Sequence, residues 1–221
     1  MQPATKRLTY KEFLDRLDED TLAEWVDGAM LMTSPASLRH QQITDFLTEM
    51  LGTYTRLHGL GRVVSAPFQM KIGQSGREPD VLFVNTAHLD RFRETYLDGP
   101  ADLVVEVISL ESAGRDRGDK FYEYEAAGIS EYWLIDPRTE RAEFYQLNAQ
   151  GMYQLVAPDA TGVYRSSAVQ GFWLYEAWLW QEPAPDIEDA MLEVAGDTYA
   201  RQMIERLRRR GFLPAEDSDG A

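Results

Sequence analysis

Apolar residues recur at helical spacing at Ile43, Phe46, Leu47, Met50, Leu51, Tyr54 and Leu57, which predicts one long helix. Ser37 can cap its start, and Gly59 stops it. Ahead of it, Thr9 opens a T-x-x-E capping box, and TLAEWV-DG-AMLMT reads as two short strands around the turn Asp27-Gly28. Beyond it, RVVSAPFQMKI reads as one strand, GQSG as a turn and PDVLFV as a second strand. A loop over 85–100 leads to LVVEVIS at 103–109, an apolar run of the kind buried on both faces of a sheet. The segment from Ser112 to Ala127 reads as a helix closed by Gly128, with Gly114 and Gly118 weakening its start. EYWLID, AEFYQL and MYQLV follow as strands.

This order predicts a mixed α/β (α+β) domain over residues 1–182, with one mixed central sheet flanked by helices and an extra N-terminal hairpin. From Glu182 the pattern changes. EPAPD reads as a linker, 187–210 as a charged amphipathic helix, and PAEDSDGA as a disordered tail, so 183–221 form an appendage. The aromatic run GFWLYEAWLW carries Trp173, Trp178 and Trp180, expected in a core or at a dimer face. With the C-terminal helix it offers more apolar surface than one small domain readily hides, and a homodimer is the expected outcome.

The chain has 221 residues, no cysteine and a net charge of −15. Without cysteine there are no disulfides or thiolate metal sites, which fits a reducing compartment. No stretch approaches the length of a bilayer span and the N-terminus has no apolar leader, so a soluble, cytoplasmic protein is expected, without a membrane partner. The acidity argues against tight nonspecific DNA binding over the whole surface, while leaving room for a local basic patch or a bound divalent cation. The one dense basic cluster in the sequence is Arg206, Arg208, Arg209 and Arg210, which either solvates a helix end or contacts phosphate.

The chemistry concentrates around Glu106. On a strand it shares a face with Val104 and Ile108, where a carboxylate costs several kcal/mol unless it meets a cation, a metal or donors. Asp80 opens the strand PDVLFV, and adjacent strands would bring the two carboxylates together. Such a pair repels unless a divalent cation sits between or one is protonated, and hard oxygen ligands suit magnesium or manganese. The backbone carbonyl of Val107 could be a further ligand. In RDRGDK, Asp116 and Lys120 are four apart and share a helix face.

PD, then EVIS in a buried strand, then RDRGDKFYEYEAAGISEYWLIDP, resembles the PD-(D/E)XK nuclease superfamily. More closely, the chain resembles the Uma-type restriction endonuclease family from about Leu8 to Glu182, with AEWVDGAM, SLRHQQI and APFQMKI as further counterparts. The resemblance implies a restriction-endonuclease-like core and a magnesium- or manganese-dependent DNA endonuclease, with Asp80 and Glu106 holding the metal. It departs from the superfamily where the strand lysine belongs, because that position holds Ile108. Lys120 on the following helix is the expected substitute, as a third catalytic residue.

Glu24 and His40 are accessory candidates. Glu24 either approaches the same cleft or lies on the surface beside Trp25, and His40 either contacts phosphate or the attacking water or has no chemical role. Phe121, Tyr122, Tyr124, Trp133 and Tyr145 are read as packing residues. Three other readings stay open: an inactive relative acting as a DNA- or protein-binding module, a metal-free glycosidase-like carboxylate pair, and a dimeric structural protein.

Overall fold

The computed structural model of the protein describes residues 7–17, 23–32, 36–109 and 112–214. Helix α1 (Tyr10–Leu14) carries the expected capping box, with Thr9 Oγ1 accepting from the Glu12 N–H and Glu12 accepting from the Thr9 N–H. Strands β1 (Ala23–Val26) and β2 (Ala29–Met32) pair across Asp27 and Gly28. Both turn residues have positive φ, 48° and 82°, which is what a tight two-residue hairpin requires. Helix α2 (Leu38–His58) starts on Ser37, whose hydroxyl accepts from the His40 N–H, and ends at a left-handed Gly59.

The expected strand RVVSAPFQMKI is two strands. β3 (Gly61–Ser65) and β4 (Gln69–Ile72) belong to different sheets, and the chain changes sheet at Ala66-Pro67. A proline has no N–H for a ladder and breaks one there. β5 (Ser75–Arg77), β6 (Val81–Asn85), β7 (Tyr96–Asp98) and β8 (Leu103–Val107) follow. The expected helix over 112–127 is also two pieces, α3 (Ala113–Arg117) and α4 (Asp119–Ala127), broken at Gly118. There a Cβ would meet the Gly114 carbonyl oxygen at 2.7 Å, so the close approach needs glycine. β9 (Glu131–Asp136), β10 (Arg141–Leu147), β11 (Tyr153–Leu155), β12 (Val163–Arg165) and β13 (Trp173–Tyr175) complete the strands.

There are two principal sheets rather than one. The larger has the order β11-β10-β9-β8-β6-β3, antiparallel except for the β8–β9 pair, which α3 and α4 connect. The smaller has the order β2-β1-β5-β4-β7, and β12 pairs with β13 alone. Alternation along the strands of the larger sheet makes two cores. On one face Val81, Phe83, Val105, Val107 and Trp133 pack with α2 and the C-terminal elements. On the other, Leu82, Val84, Val104, Ile108 and Leu134 pack with Tyr124 of α4 and with Met70 and Ile72 of the smaller sheet. This second face carries the candidate site.

The C-terminal helix, α5 (Ile187–Arg209), is kinked at Gly196, where φ is 49° and ψ −131°. Its residues Ala190, Met191, Val194 and Tyr199 are buried in the first core, together with Phe172, Leu174, Trp178 and Leu179. The aromatic run is thus largely consumed within one chain, while Leu192, Ile204 and Leu207 of α5 and Phe212 and Leu213 after it stay exposed. The tail expected to be disordered lies outside the described residues from 215 onward. No helix among the described residues is long and apolar enough to cross a membrane.

Candidate active site

β6 and β8 are antiparallel with Val81 opposite Val105 and Leu82 opposite Val104. Asp80 and Pro79 lie just before β6; continued past its last pair, the register would set Asp80 opposite Glu106 and Pro79 opposite Val107. Alternation puts Asp80 with Leu82 and Val84, and Glu106 with Val104 and Ile108, on the same buried face. Asp80 bonds the Val107 N–H beside Glu106 and repels the Glu106 carboxyl, so the two carboxylates face one cleft.

The backbone explains the Pro-Asp pair. The Ile108 N–H donates to Ile135 O, so the even-numbered residues of β8 serve β9 and Val107 turns its peptide groups toward β6. The Val107 N–H donates to Asp80 Oδ2 at 2.7 Å. Opposite it, Pro79 has no N–H to offer the Val107 carbonyl. That leaves an oxygen without a ladder donor beside two carboxylates.

Lys120 reaches into this cleft from α4. Its ammonium is 2.9 Å from Glu106 Oε1, 3.1 Å from Glu24 Oε1 and 3.2 Å from Asp116 Oδ1, and the residue is 4% exposed. Tyr124, one turn on, donates its hydroxyl to Glu106 Oε1 at 2.9 Å. Arg77 of β5 sits between Glu24, at 3.2 Å, and Glu123, at 2.7 Å. His40, in the first turn of α2, has Nε2 2.9 Å from Asp80 Oδ1. Strands from both sheets, α2 and α4 therefore converge on one cluster: Asp80, Glu106, Lys120, Glu24 and His40 are brought together.

Electrostatically the cluster is short of cations. Glu24, Asp80, Glu106 and Asp116 stand against Lys120 and a partly shared Arg77. Burial, then repulsion from Asp116, Asp80 and Glu24, pushes Glu106 well above the usual carboxylate range despite the pull of Lys120. Burial also acts on Glu24, but Lys120 and Arg77 outweigh it and hold that carboxyl below its usual range. Burial would lower Lys120, yet Glu106, Glu24 and Asp116 together raise it, so the ammonium stays charged.

The donors fit a hard divalent cation. Asp116 Oδ2 and His40 Nδ1 are buried with no hydrogen-bond partner among the described residues, and Asp116 Oδ1 has the Lys120 ammonium at 3.2 Å. Nothing among the described residues bonds Glu106 Oε2. Among the described residues no group of three or more acidic or histidine side chains forms a ready cage. An ion here would take Asp80, Glu106 and the Val107 carbonyl, and complete its shell with water and substrate oxygens, as magnesium habitually does.

Two residues of the cluster are not evident as site residues in the sequence. Tyr124 follows Lys120 by four, as Asp116 precedes it by four, which is the one signal that points to Tyr124. Arg77 has none, because only the sheet pairing brings it to Glu24. Tyr122, expected to pack, is instead 68% exposed.

Residues 10–177 match the Uma2 family, described as "Putative restriction endonuclease". The chain belongs to this family. A crystal structure described as a "putative nuclease belonging to DUF820" from Anabaena variabilis ATCC 29413 superposes with a TM-score of 0.65 at 17% identity, over 78% of this chain and 97% of that one. At that identity the likeness shows the fold, which is restriction-endonuclease-like, as the sequence implied. No curated protein matches the sequence.

Proposed function

We propose that this family member is a magnesium- or manganese-dependent endonuclease that hydrolyses phosphodiester bonds in DNA. One observation carries the reading: a buried lysine, Lys120, lies 2.9 Å from Glu106, and Asp80, at the entry to the adjoining strand, accepts from the Val107 N–H next to it. Asp80, Glu106 and the Val107 carbonyl would hold the cation, which when bound lowers the pKa of a water and offsets charge on the phosphate. His40 and the Val107 N–H fix the orientation of Asp80 from two sides. Tyr124 and Lys120 fix Glu106 in the same way. The Lys120 ammonium, held dry by its neighbours, is placed to stabilise charge developing on a phosphate oxygen. Cutting both strands of a duplex from one centre per chain requires two copies or two binding events, and a homodimer would supply the first.

A supercoiled-plasmid nicking assay tests the proposal. Wild type should nick with magnesium or manganese and not with chelator, and Glu106→Gln should fall by orders of magnitude with its fold intact. Equal nicking by Glu106→Gln, or nicking by wild type in chelator, would remove the assignment.

A further inference from the structure

The row of opposed positions that contains Asp80 and Glu106 runs on across the sheet. Glu106 faces Leu134 of β9, and Leu134 faces Glu143 of β10. Side chains in one such row share a face, so Glu143 stands on the face of the candidate site, two strand spacings or roughly 10 Å from Glu106. It accepts from Arg117 at 2.9 Å and lies 3.7 Å from Arg141. Two pairs further along, Asp136 faces Arg141, with Arg117 at 3.6 Å and Arg138 at 3.4 Å. Arg117 comes from α3, directly after β8, and Arg138 from the β9–β10 turn. Three guanidinium groups therefore gather at the end of the sheet where the parallel strands β8 and β9 finish, which is where open sheets of this kind place their ligands.

The burial is uneven in an informative way. Asp136 and Glu143 are buried, whereas the side chains of Arg117, Arg138 and Arg141 are 36%, 44% and 65% exposed. Two inner carboxylates fix three outer guanidinium groups without using up their donors, and leave a surplus positive charge on a chain of net charge −15. A forked, fixed guanidinium matches a phosphate's paired oxygens. An acidic protein that must accept a polyanion needs such a local patch beside its reacting groups.

We propose that Arg117, Arg138 and Arg141 form a phosphate-gripping rim that seats the backbone of duplex DNA and sets one phosphate over Asp80 and Glu106. This rests on the nuclease reading above and adds where the substrate lies.

Fluorescence anisotropy of a labelled duplex, in calcium to hold cleavage back, tests it. The double variant Arg138→Gln/Arg141→Gln spares Arg117, which alone of the three bridges both buried carboxylates. Lys11→Gln, an exposed cation on α1, is the control. The double variant should bind at least ten-fold more weakly. The slope of log affinity against log salt should flatten by about 2, since each phosphate that is no longer neutralised removes about 0.9. Arg138→Lys/Arg141→Lys should recover most of that slope, and Lys11→Gln should match wild type. Wild-type affinity and slope in a folded double variant would overturn the rim. If that protein still nicks plasmid, the nuclease reading survives the loss. A wild type that neither binds duplex nor nicks removes both.

Discussion

Lys120 Nζ lies 2.9 Å from Glu106 Oε1, and the same ammonium touches Glu24 and Asp116. One buried cation thus holds three carboxylates apart, and it does so from a helix rather than from the strand of Glu106. Position 108, where the strand lysine was missing, is a buried isoleucine packed among Val104 and Leu134. The distance from α4 to the strand is bridged by a lysine stem lying over apolar side chains.

Lys120→Met should therefore be costly to the fold. Removing one partner from a buried charge cluster typically costs about 3–5 kcal/mol. The loss depends on pH. Without the ammonium, the folded-state pKa of Glu106 rises further above that of the unfolded chain. Stability is then present at low pH and lost as pH rises through the raised value. Urea unfolding across the acid-to-neutral range should show the gap between variant and wild type widening toward neutrality. A gap that stays constant would contradict a shared cation.

Glu24 titrates in the opposite sense. Its folded carboxyl is held below the usual range by Lys120 and Arg77 against the effect of burial. A depressed carboxyl contributes stability above its unfolded pKa, about 4.3, and loses it as pH falls through the folded value. Glu24→Gln should be less stable than wild type at neutral pH, and the two should converge on acidification. Thermal unfolding at matched pH values checks this, and parallel acid limbs would count against it.

Glu131 ties the C-terminal hairpin to the sheet with neutral donors alone. Its carboxylate accepts from Trp133 and Tyr164, each at 2.6 Å, from the Ser166 and Ser167 hydroxyls, and from the Ser167 and Ala168 N–H groups. Truncation orphans several buried donors, each worth about 1–3 kcal/mol. Glu131→Ala should lose roughly 3 kcal/mol or more in urea unfolding, with no direct effect on the residues around Asp80. A loss below about 1 kcal/mol would show that water replaces the carboxylate there.

The long helix, the Asp27-Gly28 hairpin and the buried strand of Glu106 were legible because each is local: a helical period, a turn dipeptide, an unbroken apolar run. Asp80 and Glu106 were legible as a pair, since strand alternation and one register step suffice to oppose them. What failed was long-range. Residues 61–72 carry strand character throughout, and only the tertiary fold assigns the parts before and after Pro67 to different sheets. Glu24 looked ambiguous from the sequence because its burial depends on Arg77, which lies 53 positions away and arrives by the β1–β5 pairing. The tryptophans after residue 172 fitted a core or a dimer face, and composition could not choose the core, where Trp178 is buried and Trp173 and Trp180 pack against it.

That Asp80 and Glu106 hold a divalent cation is tested most directly by titrating manganese into the purified protein. Calorimetry on wild type, Asp80→Asn and Glu106→Gln gives both affinity and proton release. Wild type should bind manganese, and magnesium should compete for the site. Affinity should rise with pH because Glu106 holds its proton unusually high and must lose it to bind metal. Both variants should bind at least ten-fold more weakly. Wild-type affinity in both variants, or no manganese binding by folded wild type, would contradict the metal site.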